Sequence, residues 1–391
     1  MTERSVTVLV TYQGEVLGQV GPFPVAHPRW QQTGGVAEGA ERLLGVPVLV
    51  LRLLTHGGTG GVGGEVAYHV EALGRPPVTL APTALEVGAD PLRALWATPD
   101  GLRAALDWAA ERAGATGPVR QEKSWNLSGL YRLPVGEGAA WLKTTPPFAV
   151  DEALVIRHLA SVAPESVPAV LAAEPGRLLL GDAPGVDCWG LPEDGMLAAV
   201  PRLAAAQAAL AGRADGLPDR TPRTLVSAFA ELLPRLTGLT TEERTAAARL
   251  LTELPSIVDE LAACGLPETL VHGDFHPGNW RYDGERTTLI DFSDSYLGHP
   301  AVDGLRPRDF LAEERWLTVR RLWIDAWTTH APGSDPARAL ELAEPLVHLG
   351  YAVRYQEFLD GIEATEQVYH AGDPESEVRA ALAALAALDR S

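Results

Sequence analysis

The stretch Leu270-Val271-His272-Gly273-Asp274-Phe275-His276-Pro277-Gly278-Asn279-Trp280 decides the fold, together with Thr288-Leu289-Ile290-Asp291-Phe292-Ser293, which follows a turn at Asp283-Gly284. Two apolar runs of β character flank two polar clusters. Pro277 and Gly278 keep the first cluster out of a helix. That cluster sets a carboxylate and an amide five positions apart on a tight loop, and the second sets a carboxylate at the end of a strand.

Phosphoryl transfer from ATP calls for this set of groups. One carboxylate orients the acceptor hydroxyl and takes its proton, while a carboxylate and an amide oxygen hold Mg²⁺ against the phosphates. Magnesium takes hard oxygen ligands and keeps several waters, so two protein ligands suffice. Protein kinases carry Asp-x-x-x-x-Asn on the catalytic loop and then Asp-Phe-Gly for metal. Asp274 to Asn279 has the first spacing, and Asp291-Phe292-Ser293 the second, with serine for glycine. The rival chemistry is a zinc site built from His272, His276 and Asp274. It calls for a helix, which Pro277-Gly278 opposes.

His272-Gly273-Asp274-Phe275-His276-Pro277-Gly278-Asn279 with Ile290-Asp291-Phe292 resembles the aminoglycoside phosphotransferase and choline kinase-like family, which has a protein-kinase-like fold. The resemblance extends from about residue 117 to the C-terminus and is tightest in this island. It implies that Asp274 is the catalytic base and that Asn279 and Asp291 bind Mg²⁺. It also implies that His272 supports the loop by hydrogen bonds. His276 is either structural or close to substrate. The Gly298-His299-Pro300-x-x-Asp303 segment matches one that follows the metal site in that family, and implies a structural role for Asp303.

An ATP lobe of this kind supplies a lysine on a strand and a glutamate on the next helix. Lys143, at the end of Ala140-Trp141-Leu142-Lys143-Thr144, is expected on the α/β-phosphates, positioned by Glu152. Lys123 and Lys143 are the only lysines; Lys123 is expected on the surface. No Gly-x-Gly-x-x-Gly precedes Lys143. Ser124-Trp125-Asn126-Leu127-Ser128-Gly129 stands there instead, so the amides or hydroxyls of Ser124, Asn126 and Ser128 either touch phosphate or form an ordinary polar turn. Leu178–Pro184 is the candidate hinge against adenine. Asp294, Asp360 and Glu363 are left open as substrate contacts.

The expected fold is α+β: a bilobal protein-kinase-like fold preceded by a small α+β domain. Composition and turn signals divide the chain into an N-terminal unit with a connector helix (1–115), an ATP lobe (116–184) and a mostly helical lobe (185–391). In the first block, Val6–Thr11 and Glu15–Val20 read as a hairpin about Gln13-Gly14, broken by Gly21-Pro22-Phe23-Pro24. Val36–Leu44 reads as a helix, and Val46–Leu54 and Glu65–Leu73 as strands. Leu92, Leu95, Trp96, Leu102, Leu106 and Trp108 form the connector's apolar face. Gly34-Gly35-x-x-Glu38-Gly39-x-Glu41 resembles part of a Nudix box without its downstream metal helix, so no hydrolase activity is expected. The block is expected to be dispensable for chemistry but needed for stability.

The chain has 391 residues, 46% hydrophobic and 21% charged, values of a globular protein of two or three domains. No apolar run is long enough to cross a membrane. The N-terminus lacks the pattern of a signal peptide. Cys188 and Cys264 have no metal or disulfide spacing, and a cytoplasmic location is expected. A net charge of −19 opposes nucleic acid and anionic membranes as partners and suits a cationic or neutral ligand. The expected activity is ATP- and Mg²⁺-dependent phosphorylation of a hydroxyl on a sugar, aminoglycoside or amino alcohol. The alternative is a pseudokinase that binds ligand without turnover. A protein kinase is disfavoured because no Ala-Pro-Glu follows Asp291.

Overall fold

The computed structural model describes residues 4–58, 60–189 and 193–388. Two compact units emerge, each assembled from several stretches. The first holds residues up to Phe148, Val170–Asp182 and Phe358–Ala371; the second holds Ala149–Ala169, Ala183–Glu357 and the C-terminal stretch from Gly372. One crossing falls between Asp182 and Ala183, inside the candidate hinge.

The first unit contains two sheets. In one, the strands Arg4–Tyr12, Glu15–Val25, Val48–His56 and Gly64–Ala72 lie in the order second, first, fourth, third. Gln13 and Gly14 both take positive φ, 51° and 82°, the turn whose twist suits a tight hairpin. The expected break at Gly21–Pro24 does not end the strand, which runs on to Val25. This strand is at the sheet edge, where a proline removes no needed ladder bond. The helix Gly34–Leu44 packs Val36, Ala40 and Leu44 onto Val8, Val10, Val50 and Val70. A Cβ on Gly39 would collide with the Phe23 ring, so close packing accounts for this glycine of the Nudix-like pattern.

The second sheet is antiparallel, ordered Arg120–Ser124, Gly129–Val135, Gly138–Thr144, Arg177–Gly181, Val170–Glu174. Its two edge strands escape sequence reading. Arg120–Ser124 is polar and Val170–Glu174 half-exposed, as edges are. The helix Pro99–Ala113 starts at Thr98, whose side chain accepts the Gly101 amide. It presses Leu102, Trp108 and Ala109 into a core with Tyr131, Leu133, Leu142 and Leu179. Trp96 is buried there too, but Leu92 and Leu95 are exposed and do not belong to the apolar face.

The strand Val48–His56 serves both cores because side chains alternate. Val48 and Val50 face one, Leu49 and Leu51 the other, and a register shift between Val50 and Arg52 returns Leu53 to the first. The Gln121 amide bonds both the nitrogen and the oxygen of Val50, at 2.9 and 2.7 Å. Residues on both sides of the expected 115/116 division therefore share a core. The stretch Phe358–Ala371 is tied into the same unit by charge. Glu363 pairs with Arg52 at 2.9 Å and with Arg93 at 3.2 Å, all well buried. Glu366 accepts the Leu53 amide at 2.9 Å.

The second unit is mostly helical. The helix Thr241–Ala263 carries a reciprocal capping box between Thr240 and Glu243. The helices Glu313–His330 and Pro336–Gly361 bury Trp323, Trp327 and Leu349. Among them lie two small sheets, Thr269–Val271 with Tyr296–Gly298, and Val186–Asp187 with Trp280–Tyr282 and Thr287–Leu289. Among the described residues no helix is long and apolar enough to cross a membrane.

Candidate active site

The polar island leaves the strand Thr269–Val271 at His272 and is held from beneath by Asp303. This buried carboxylate accepts the His272 amide at 2.8 Å, the Gly273 amide at 3.0 Å and the Gln207 side chain at 2.7 Å. Burial pushes Asp303 up to about 7, against these three donors. Its structural role, implied by the Gly-x-Pro-x-x-Asp segment, has a physical basis here: it fixes the turn into the loop. Gly273 has φ +84°, and a Cβ there would collide with the main-chain oxygen of Asp294.

His272 is fully buried, and burial lowers its pKa to about 4, so the ring is neutral. Nε2 lies 3.1 Å from the Ile290 oxygen and donates to it, while Nδ1 accepts the Asp274 amide at 3.3 Å. Both nitrogens are thus committed to main chain on the two halves of the island. This leaves none for the zinc alternative. Among the described residues no group of three or more His, Cys, Asp or Glu side chains is placed to hold a metal.

Asp274 is gripped on one oxygen. Arg306 donates Nε at 2.9 Å and Nη2 at 2.8 Å to Oδ1. Oδ2 faces the Asn279 amide nitrogen at 3.2 Å and His276 Nε2 at 3.3 Å. Burial alone would raise the Asp274 pKa, but Arg306 and His276 hold it well below the usual carboxylate range. His276 is wedged in place. Its Nδ1 accepts the Gly278 amide at 3.0 Å, and its ring stacks on Phe310 at 4.3 Å and Trp189 at 5.5 Å.

Asn279 joins the two clusters. Its side-chain nitrogen donates to the Asp274 main-chain oxygen at 2.9 Å, and its own main-chain oxygen accepts the Ile290 amide at 3.0 Å. With the nitrogen so directed, the amide oxygen is the group offered outward. Asp291 takes φ +65°, a strained conformation that aspartate tolerates better than most residues. Ser293 donates to its Oδ1 at 2.8 Å, and the next amide, Phe292, donates to Glu152 Oε2 at 3.0 Å. Glu152 is buried at the start of the helix Glu152–Ala160. Asn279 and Asp291 offer hard oxygens, the donor type Mg²⁺ takes.

The second unit thus brings together Asp274, Asn279, Asp291 and Glu152. Lys143, Ser124, Asn126 and Ser128 belong to the first unit. Lys143 is buried on the central strand Gly138–Thr144, opposite Leu130 and Leu178. The three polar side chains bond within the unit. Ser124 donates to the Leu51 oxygen at 3.4 Å, Asn126 donates to the Glu366 oxygen at 3.1 Å, and Ser128 accepts from Trp125 at 3.1 Å. Lys123 is half-buried rather than free on the surface, with Nζ 4.8 Å from the Trp125 ring. Glu363, left open as a substrate contact, is consumed in its pairs with Arg52 and Arg93. Asp294 pairs with Arg354 at 2.8 Å.

Sequence reading misses Arg306, the closest cation to the loop carboxylate. The signal available was its spacing: three residues beyond Asp303, one helical turn on, it faces the same loop.

The chain belongs to the Phosphotransferase enzyme family, whose sequence profile matches residues 135–340, more than half of its length. Solved structures share the α+β, protein-kinase-like fold. A choline/ethanolamine kinase family protein from Mesorhizobium loti is 18% identical, covers 73% of this chain and 98% of its own, and has a TM-score of 0.51. A candidate fructosamine-3-kinase from Thermobifida fusca is 17% identical over 71% of this chain and 98% of its own, with a TM-score of 0.50. A candidate aminoglycoside phosphotransferase from Ralstonia eutropha is 16% identical over 74% and 98%, also at 0.50. Among curated proteins no sequence matches the chain.

Proposed function

We propose that this phosphotransferase moves the γ-phosphoryl group of ATP, with Mg²⁺, onto a hydroxyl of a small polar molecule. The observation that carries the reading is the linkage of Asp274, Asn279 and Asp291. Asn279 bonds Asp274 through its side chain and the Asp291 strand through its main chain. In this reading Asp274 orients the acceptor hydroxyl through Oδ2 and takes its proton. Asn279 and Asp291 hold the metal through oxygen. When bound, Mg²⁺ neutralises charge on the phosphates.

The low pKa of Asp274 makes it a weak base, which suits this chemistry. The transition state is loose, and most of the rate comes from positioning and electrostatics. Lys143 is assigned to the α/β-phosphates, and Glu152 to ordering the site, by the resemblance and the order of the motifs. The Ser124 amide is spent on the Gln31 oxygen at 3.0 Å, so of this turn Asn126 and Ser128 remain assigned to the phosphate side, by the order of the motifs.

The test mixes the full chain with ATP, Mg²⁺ and a panel of hydroxyl compounds and follows ADP and product mass together. Transfer that requires Asp274 supports the reading. Mg²⁺–ATP binding with no transfer to any compound favours the pseudokinase alternative.

A further inference from the structure

Resting on the phosphotransferase reading, we infer that Arg306 is a positioning residue. It anchors one end of the Asp274 carboxylate so that the other end meets the acceptor hydroxyl. The two oxygens of Asp274 are held unequally. Oδ1 takes two charge-assisted bonds from one guanidinium, 2.9 Å from Nε and 2.8 Å from Nη2. Oδ2 has only longer contacts, 3.2 Å to the Asn279 side-chain nitrogen and 3.3 Å to His276 Nε2. These lie at the long end of the hydrogen-bond range. Oδ2 is therefore the oxygen that an incoming hydroxyl can engage.

One short helical run builds this arrangement. Asp303, in Ala301–Leu305, accepts the amides of His272 and Gly273, and Arg306, which opens the 3₁₀ turn Arg306–Phe310, holds the side chain of the next residue, Asp274. Three consecutive loop residues are thus set by two side chains three positions apart, the spacing of neighbours on one helical face. The guanidinium is itself fixed. Its carbon lies 4.7 Å from the Phe310 ring and 4.7 Å from the Tyr351 ring, and the side chain is 14% exposed. Nη1, its remaining nitrogen, faces Asp309 at 3.6 Å. Both rings also touch the loop. The Tyr351 hydroxyl donates to the Gly273 main-chain oxygen at 3.3 Å, and the Phe310 ring stacks on His276 at 4.3 Å. The anchor of Oδ1 and the neighbour of Oδ2 therefore rest on the same phenylalanine.

Arginine suits this role better than lysine. A guanidinium presents its N–H donors in a rigid fork, so two of them reach one oxygen from fixed directions and set its distance and its angle. An ammonium is a point charge on a flexible stem. If Arg306 served only to balance the charge of a largely buried aspartate, a lysine would do as well. Positioning predicts a cost in turnover, since a displacement of about 1 Å can cost about 10²-fold. It predicts no comparable cost in binding, because in this role Arg306 acts through Asp274 and touches neither nucleotide nor acceptor.

The test measures kcat and KM separately, using the best acceptor from a panel of glucose, ribose, glycerol, choline and kanamycin. The proteins are the wild type, Arg306→Gln, Arg306→Lys and Asp274→Ala, and each Arg306 variant combined with Asp274→Ala. Arg306→Gln should lower kcat by about 10²-fold, while KM for acceptor and for Mg²⁺–ATP stays within about threefold. Arg306→Lys, which keeps the charge, should recover only part of that loss and remain about tenfold below wild type. In the Asp274→Ala background neither substitution should lower kcat further, because the group that Arg306 positions is gone. A folded Arg306→Gln or Arg306→Lys that turns over at the wild-type rate overturns the inference. So does a loss confined to KM, or an equal further loss in the Asp274→Ala background. If Arg306→Gln does not fold, Arg306→Lys decides by the same comparisons. No transfer to any compound by a wild type that binds Mg²⁺–ATP overturns the phosphotransferase reading itself, and the inference with it.

Discussion

Glu152 Oε2 accepts a 3.0 Å hydrogen bond from the main-chain amide of Phe292, 140 residues further along the chain. It thereby joins the start of a helix to the loop that holds Asp291 at φ +65°. A left-handed aspartate persists only where its surroundings over-determine it. Glu152→Ala leaves the Phe292 amide buried without this partner, at a cost of about 1–3 kcal/mol. The expected outcome is a lower Tm together with weaker Mg²⁺-dependent ATP binding by calorimetry. An unchanged affinity would detach Glu152 from the site.

Asp274→Ala removes the group proposed to orient the acceptor hydroxyl. Phosphoryl transfer should fall by about 10²–10⁴-fold, the usual contribution of a general base. Nucleotide binding should remain near wild type. Activity within a few-fold of wild type would remove Asp274 from the chemistry.

Asp291→Ala tests the metal assignment. Two oxygen ligands bind Mg²⁺ weakly until phosphates complete the shell. Titration of ATP with and without Mg²⁺ should show metal-dependent binding in the wild type and its loss in the variant. Tight stoichiometric zinc would contradict the assignment.

The motif residues were legible because their chemistry is local: residue type, spacing and flanking strands sit within one short stretch. What completes the site was not. Arg306 reaches Asp274 across 32 residues with no motif of its own, and Glu152 reaches Phe292 across 140. The hairpin was readable from its β-rich runs about Gln13-Gly14, and the buried strand Val48–His56 from its β-branched and apolar residues, read as Val46–Leu54. The strand Arg120–Ser124 was not, because an edge strand needs no apolar pattern. The Gly39 of the Nudix-like pattern owes its identity to contact with Phe23, which no sequence spacing reveals.

The pairing of Glu363 with Arg52 spans 311 residues and changes the expectation for the N-terminal block. A chain starting near Gly114 would lack Arg52, Arg93 and the Leu53 amide, leaving Glu363 and Glu366 without their partners. It should be insoluble or unfolded rather than merely less stable. In the full chain, Arg52→Ala should cost about 3 kcal/mol in urea unfolding, the lower end for a broken buried pair because Arg93 remains. A soluble truncated chain with an unchanged Tm would show that this pairing is dispensable.

Glu366 supplies a pH dependence. Burial raises its pKa from 4.5 to about 8. Between those values the native state holds a proton that the unfolded state has released, so stability is greatest below the lower value and falls as pH rises through about 8. Glu366→Gln keeps an acceptor for the Leu53 amide and removes the titration. Tm measured from about pH 5 to 9 should decline more steeply for the wild type than for the variant. Parallel curves would show that Glu366 stays ionised.

The most direct test of the central claim is a coupled count of ADP formed and phosphorylated product by mass spectrometry, with ATP, Mg²⁺ and the panel of hydroxyl compounds. The account predicts one ADP for each acceptor that gains a phosphoryl group, with the product lost in Asp274→Ala. A chain that binds Mg²⁺–ATP yet phosphorylates no acceptor, or an Asp274→Ala variant that makes product at the wild-type rate, would contradict it.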